Sequence, residues 1–311
     1  MKRTNALTEG AIMLALFTVL VFITLTVPLL GSITLLALPL PLIVYAGKHE
    51  FKNNILLAAA SVPIVFLLGS VAGLSLSVPA ALIGLIMGTL YRKRGSAAAV
   101  IGASFGFLLS ILAGYMVSIL FFQINPLQEF ETIMKQSVDQ AIGFLEMAGQ
   151  KPEEEQITQM RTQMDQLFTI FPSILIGVSF FSAIILHAIA SPILRRLKLK
   201  SDRLKPFRDW RLPQSIAWYY IAVMILSFID FEKGSFMETA VTNLFTILLL
   251  LLVMQGLSFV FYYAFVKEIS RGIPVLVVVF SLFFPFLLYP VQFLGIIDIG
   301  FRLRERITPK S

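Results

Sequence analysis

Cysteine is absent from the 311 residues, and charged residues make up only 14% of them. The lack of cysteine excludes disulfides, thiolate metal sites and cysteine nucleophiles. Soluble chains carry about 25% charged residues and are about 45–50% apolar, whereas this chain is 57% hydrophobic. A soluble core cannot absorb that much apolar surface. The sequence therefore predicts an integral membrane protein, with the lipid bilayer as its first partner.

Two sequence motifs of common enzymes are missing as well. There is no G-x-x-x-x-G-K-[ST] phosphate loop and no H-E-x-x-H. We therefore expect no catalysis, no ATP hydrolysis by this chain itself, and no bound cofactor or metal. The net charge of +7 comes from short basic clusters between apolar runs, not from a continuous basic patch. Nucleic acid is accordingly not expected as a partner.

Long apolar runs dominate what is present. They are unbroken and about 17–28 residues long, which is typical of membrane helices and not of barrel strands. The last one contains Pro285 and Pro290, and proline interrupts a helix by removing a donor. The sequence thus predicts an all-α transmembrane bundle with eight clear spans and a broken C-terminal segment. The runs fall at 8–27, 29–46, 53–70, 73–91, 96–122, 170–193, 214–230, 239–266 and 273–299.

Basic residues predict the orientation. Lys2 and Arg3 precede the first run, and the loop 194–213 is rich in lysine and arginine. By the positive-inside rule, both lie on the cytoplasmic side of the membrane. We therefore expect a multi-pass protein of the bacterial cell membrane with a cytoplasmic N-terminus. A broken last segment would also return the C-terminus to the cytoplasm. Within that segment, Asp298 and Arg302 are four residues apart, which predicts an ion pair within one helix.

The region 123–169 is the sizeable extramembrane piece. Its apolar residues recur every three or four positions in two stretches, which predicts an extracytoplasmic hairpin of two amphipathic helices. Asn125-Pro126 and Lys151-Pro152 mark the two helix starts, and residues 148–150 form the turn. The predicted organisation has three parts: a six-span unit at 1–193 that includes this hairpin, a basic loop at 194–213, and further membrane spans at 214–311.

Several residues are candidates for a binding site. Short helices broken by proline line substrate sites in many transporters, and Pro39, Pro41, Pro63 and Pro79 lie at such places. Alternatively, membrane helices simply tolerate proline. His187 is an ionisable residue within a span, which makes it a functional candidate, although a neutral imidazole can also serve as a structural hydrogen-bond partner. The amide side chains at 243, 255 and 292 can bond between helices or touch a ligand.

Three stretches carry a resemblance: AIMLA at 11–15, LALPLPLIVYAG at 36–47 and SVPAALIGLIMG at 77–88. With them, the whole chain resembles the YybS family of uncharacterised bacterial membrane proteins. Residues 1–193 more distantly resemble the substrate-binding subunits of energy-coupling-factor transporters. That second resemblance implies a subunit that binds a vitamin or metal ion and docks on a transmembrane partner with two ATPases. Ala11 and Ala15 stand where such subunits have a small-residue docking face.

Two functions follow as hypotheses. The first is a substrate-binding or transport subunit for a small molecule, working with a partner ATPase module. Ala11 and Ala15 would dock, and the proline-rich second to fourth spans would form the pocket. The second is a non-transporting membrane scaffold or regulatory protein, in which the loop 194–213 holds an anionic lipid or an acidic partner.

Overall fold

The regular elements of the computed structural model are all helical over the residues that it describes, which are 2–149 and 153–307, with side chains from Asn5. Short 3-10 turns lie at Phe207–Asp209 and Pro285–Leu287. The helices are α1 (Lys2–Thr26), α2 (Pro28–Ala37), α3 (Leu40–Lys48), α4 (Phe51–Arg94), α5 (Ser96–Phe122), α6 (Pro126–Met147), α7 (Glu154–Thr169), α8 (Phe171–Arg196), α9 (Ser215–Leu226), α10 (Phe236–Val266), α11 (Gly272–Phe283), α12 (Leu288–Phe301) and α13 (Leu303–Arg306).

Six apolar helical segments in the described part of the chain are long enough to cross a membrane. They are α1, α2 with α3, α4, α5, α8 and α10. Large apolar side chains cover their outer surfaces, and this is the surface that lipid requires. These features confirm the prediction of an all-α transmembrane bundle, and the protein is a multi-pass integral membrane protein. The shorter apolar helices α9, α11 and α12 account for the remaining predicted runs.

Helix α4 contains two of the predicted spans. Its 44 residues would extend about 66 Å if straight, roughly twice the hydrocarbon thickness of a bilayer. The backbone breaks at Ser70, which has φ 49° and ψ −140°. A Cβ added to Gly73 would lie 2.9 Å from the carbonyl oxygen of Val65, eight residues earlier. Because those residues lie far apart in a straight helix, α4 must fold back at Ser70 into two arms.

The chain forms two compact units. The first comprises 1–151 and 175–204, and the second comprises 152–174 and 205–311. The predicted organisation, in contrast, placed the whole stretch 152–174 in the N-terminal part. Asn243 of α10 explains the difference, since its side chain accepts a hydrogen bond from the Ser173 amide at 2.9 Å and donates one to the Thr169 carbonyl at 2.7 Å. These bonds attach residues 169–173 to the second unit.

The first unit is built around α3, α4, α5 and α8. Its main core includes Ile43, Met87, Tyr91, Ala103 and Leu186, all nearly inaccessible. Gly84 and Gly88 lie one turn apart on α4, and a Cβ on either would lie within 2.7 Å of an atom of α3. Glycine at both positions therefore lets the two helix backbones approach closely, as small residues do at membrane helix contacts.

In the second unit, the predicted break in the last apolar run is confirmed. Helix α11 ends at Phe283, and α12 begins at Leu288 after a 3-10 turn that starts at Pro285. Helix α12 crosses α10 at Gly256 and Gly295, where each glycine's Cβ position would overlap the facing backbone. The Gln214 amide donates to the Ile299 carbonyl at 3.3 Å, so the end of α12 lies beside the start of α9.

Both amphipathic helices predicted for 123–169 are present, as α6 and α7. Asn125 caps α6 as expected, since its side-chain oxygen accepts from the amides of Leu127 and Gln128, and Pro126 occupies the first position. For α7, Glu153 is the N-cap and Glu154 the first residue. The predicted start at Lys151-Pro152 and turn residue Gln150 lie outside the described residues.

Candidate functional site

Ala11 and Ala15, the predicted docking residues, lie on α1 and are both exposed. They are separated by one helical turn, so they share one face. Large exposed side chains flank them, with Ile12 at 53% and Leu16 at 50% exposure. The two alanines thus form a shallow notch between bulkier neighbours. The same helix buries its opposite side through Phe17 and Val21, which belong to an apolar core with α3 and α4.

The four predicted pocket prolines occupy different environments. Pro39 caps α3 and is buried, as is Pro41 within its first turn. Pro63 lies in the first arm of α4 and is exposed, whereas Pro79 lies in the second arm and is half-buried. Pro39, Pro41 and Pro79 therefore contribute to the interior of the first unit, and Pro63 lies on its surface. A pocket shared by these residues stays a prediction.

His187 lies in α8 within the core of the first unit. Its Nδ1 atom shares a hydrogen bond of 2.5 Å with the hydroxyl of Tyr91 from α4, and the two rings stack with centroids 5.8 Å apart. Both residues are buried, Tyr91 completely. The contact is a structural hydrogen bond, which the sequence allowed for His187 as an alternative to a functional role. It links two membrane-spanning helices through a satisfied pair of polar groups.

The second unit contains a buried charge pair. Asp298 of α12 accepts a bond of 2.8 Å from Nε of Arg304, and each side chain is only 2% exposed. The predicted ion pair between Asp298 and Arg302 is wrong. Helix α12 ends at Phe301, and Arg302 adopts a left-handed conformation with φ 49° and ψ 48°. That reversal turns the chain back, so Arg304 reaches Asp298, whereas Arg302 donates to the Gln214 side chain at 3.3 Å.

Other polar groups make further hydrogen bonds to both members of this pair. Arg304 donates from Nη1 to the Arg208 carbonyl at 2.5 Å and from Nη2 to the Ser258 hydroxyl at 3.1 Å. Gln255 donates to Asp298 at 2.5 Å and accepts from the Leu212 amide at 2.9 Å. A charge pair that is removed from water needs such additional bonds to be tolerated. The network joins α10, α12, α13 and the loop before α9.

A cavity of about 420 Å³ lies above this network, inside the second unit. Asp298, Arg304 and Gln255 form its polar floor. Its rim holds Arg211 and Arg302, whose side chains are 52% and 62% exposed. Both arginines face the carboxylate of Glu305: Nη1 of Arg211 lies 4.0 Å from one oxygen, and Nη1 of Arg302 lies 3.9 Å from the other. The floor is electrically balanced, whereas the rim has two positive charges against one negative charge.

Sequence reasoning found this site only in part. It singled out Asp298 and noted Gln255 among polar residues that bond between helices, and the structure shows that Gln255 does bond between helices. Ser258 and Arg304 were missed. One signal was available for Arg304, namely a group of basic residues directly after a broken apolar segment. For Ser258 there was none, because serine is unremarkable in a membrane helix.

Comparisons with known proteins agree with the membrane architecture. The family model "Predicted membrane protein (DUF2232)" matches residues 15–299. The chain is 34% identical over 308 residues to the "Uncharacterized protein YybS" of Bacillus subtilis (strain 168), which covers 99% of this chain and 100% of the relative. This match confirms the resemblance to the YybS family. No solved structure matches the chain significantly. The resemblance of residues 1–193 to energy-coupling-factor subunits stays a prediction.

Proposed function

The chain belongs to the DUF2232 family of predicted membrane proteins, and we propose that it is a substrate-binding or transport subunit for a small molecule. It would act with a partner module that supplies ATP hydrolysis, because its own sequence has no phosphate loop. The observation that carries the proposal is the exposed notch at Ala11 and Ala15. Small residues one turn apart allow a helix of another membrane protein to pack closely.

A second observation supports ligand binding in the first unit. Ser77 is fully buried, and its hydroxyl has no hydrogen-bond partner among the described residues. It lies two residues before Pro79 on the second arm of α4. Buried polar groups are normally hydrogen-bonded, and an unpartnered one indicates a water or a ligand. The proposed substrate would therefore lie close to the segment in which the pocket was predicted.

The docking test compares two double variants. A11L/A15L fills the notch on α1, and A59L/A97L makes the same substitution at exposed alanines of α4 and α5. Tagged proteins are purified in mild detergent from the native membrane, and co-purified subunits are quantified by mass spectrometry. We expect an ATPase-linked membrane subunit with the unmodified chain and with A59L/A97L, and its loss with A11L/A15L. Equal recovery with both double variants would contradict docking at this face.

Ligand binding has a separate test. Native mass spectrometry of the gently extracted protein measures a bound small molecule as added mass. We expect a bound species whose occupancy falls in S77A, whereas S75A, an exposed serine in the same arm, retains it. A protein without any bound species under conditions that preserve bound lipids would contradict the substrate-binding function.

The alternative function is a non-transporting scaffold or regulatory protein. One observation favours it: the loop before α9 has a fixed shape, because the Ser258 hydroxyl donates to the carbonyls of Phe207 at 2.7 Å and Trp210 at 2.9 Å. A fixed loop that carries Lys205, Arg208 and Arg211 suits recognition of an anionic partner. Co-purification of a partner that is lost when this loop is neutralised, with no small molecule bound, would support this function over transport.

A further inference from the structure

The 420 Å³ cavity of the second unit has the features of an anion site. This site is independent of the α1 notch and of the proposed transport function. Its floor does not need a ligand, because Arg304 makes three hydrogen bonds and Gln255 is bonded at both ends of its amide. The floor therefore provides a rigid and neutral base. The unbalanced charge lies in the two arginines at the rim.

The rim arginines converge on one point. Glu305 places one carboxylate oxygen towards each guanidinium, at 4.0 Å from Arg211 and 3.9 Å from Arg302. A direct arginine–carboxylate pair has contacts of about 2.7–2.9 Å, so neither arginine is engaged at full strength. One carboxylate is also too little charge for two guanidinium groups. A phosphate group, with more charge and more acceptor oxygens, fits between two arginines better than a carboxylate does.

The positions of both arginines are set by the fold. Arg302 donates from Nη2 to the Gln214 side chain at 3.3 Å, and Gln214 in turn donates to the Ile299 carbonyl at 3.3 Å. Arg211 precedes Leu212, whose amide is fixed by Gln255. Glu305, in contrast, lies on the one-turn helix α13 and is 55% exposed. It can swing away from the rim without breaking the buried network.

We propose that this cavity binds the phosphate group of a small phosphate ester or of an anionic lipid headgroup between Arg211 and Arg302, with Glu305 as an internal competitor. Arg211 precedes α9, and Arg302 follows α12. Residues at the ends of membrane helices lie at the level of the headgroups, which both sources of phosphate can reach. The cavity volume is within the range of small-molecule sites, which is about 300–1,000 Å³.

The experiment has two arms that separate the sources. In the first arm, the full-length protein in neutral detergent is titrated with glycerol phosphate and followed by phosphorus NMR line broadening. In the second, the protein is reconstituted into nanodiscs of phosphatidylcholine with phosphatidylglycerol, and retained lipid is counted by native mass spectrometry. Saturable binding in one arm supports the proposal and identifies the source. Absence of binding in both arms overturns it.

Matched variants test the residues. R211Q/R302Q removes both rim charges, and K267Q/R271Q removes two exposed charges elsewhere in the second unit. We expect R211Q/R302Q to weaken binding about tenfold or more, since charge-assisted bonds to two guanidiniums are lost. K267Q/R271Q should change it by less than about twofold, because exposed charges away from the site contribute little. Equal weakening in both variants would show non-specific attraction and overturn the site.

Two further variants keep the test decisive. E305Q removes the competing carboxylate and should tighten binding about threefold or more. Unchanged binding in E305Q overturns the competitor role. If R211Q/R302Q does not fold, R211K/R302K keeps the charges and loses the planar fork. It should bind more weakly than the unmodified protein, because lysine cannot make bidentate bonds to phosphate. Undiminished binding in that variant overturns the geometry that we propose.

Discussion

Replacement of Arg304 by methionine tests the buried charge network most directly. The variant leaves the Asp298 carboxylate 2% exposed with Gln255 as its one remaining donor among the groups described around it. Removing one partner of a buried ion pair costs about 3–5 kcal/mol, because the other charge stays out of water. For a chain of this size, about 2 °C of melting temperature corresponds to each kcal/mol. We therefore expect the melting temperature to fall by roughly 6–10 °C.

The double variant D298L/R304M removes both charges and so tests whether the unpaired charge causes the loss in R304M. Leucine and methionine remove both charges, so no uncompensated charge stays buried. The Arg208 carbonyl then loses its bond from Arg304, and the Gln255 amide loses Asp298 as its acceptor. The Ser258 hydroxyl keeps the Phe207 and Trp210 carbonyls as acceptors. R304M loses the Arg208 bond as well, so the extra loss in the double variant is the Gln255 bond, which costs about 1–2 kcal/mol. An unpaired buried charge costs more than that, so the double variant should melt above R304M, although R304M carries fewer changes.

The assay is the melting temperature of the purified protein in detergent, taken from the fraction that stays monodisperse after heating. Arg306→Met is the matched control, since Arg306 is exposed on the same short helix. It should change the free energy of unfolding by no more than about 0.5 kcal/mol. The single variant D298L is measured in the same way. A loss in D298L/R304M equal to the sum of the losses in D298L and R304M would refute the reasoning, because it would mean that the charges are not coupled.

Three further predictions use the same measurement. Gly295→Ala should lower the free energy of unfolding by about 1–3 kcal/mol, because the added Cβ would overlap the α10 backbone. Gly300→Ala has open space around it and should be neutral or stabilising. Equal losses in the two variants would contradict the close crossing of α10 and α12. Ser70→Gly should stabilise the protein by about 1 kcal/mol, because φ 49° is strained for serine. Ser75→Gly, in regular helix, should destabilise it. A Ser75→Gly variant more stable than Ser70→Gly would disprove the fold-back of α4. Asn243→Leu should cost about 2–4 kcal/mol through lost bonds to residues 169–173, and an unchanged melting temperature would exclude that anchor.

The sequence determined the class of protein and the positions at which several of its helices begin or end. Apolar runs of membrane length can only be helices or a closed barrel in lipid, so their length and continuity decided the architecture. Local chemistry was equally informative at Asn125-Pro126, where a cap and a first-position proline begin α6 as expected. The break before α12 was also visible, because proline acts on its own backbone and on the preceding turn.

Only the tertiary structure decided which polar groups meet. The spacing of Asp298 and Arg302 predicted a pair on one helix face, but that rule holds only while the helix continues. The left-handed backbone at Arg302 ends α12 and brings Arg304 to Asp298 instead. Likewise, the role of Ser258 depends on contacts with residues near 207–210 and 304, far away in the sequence. Hydrogen-bond partners across helices are set by backbone reversals and packing, and a periodic pattern of residue types does not encode them.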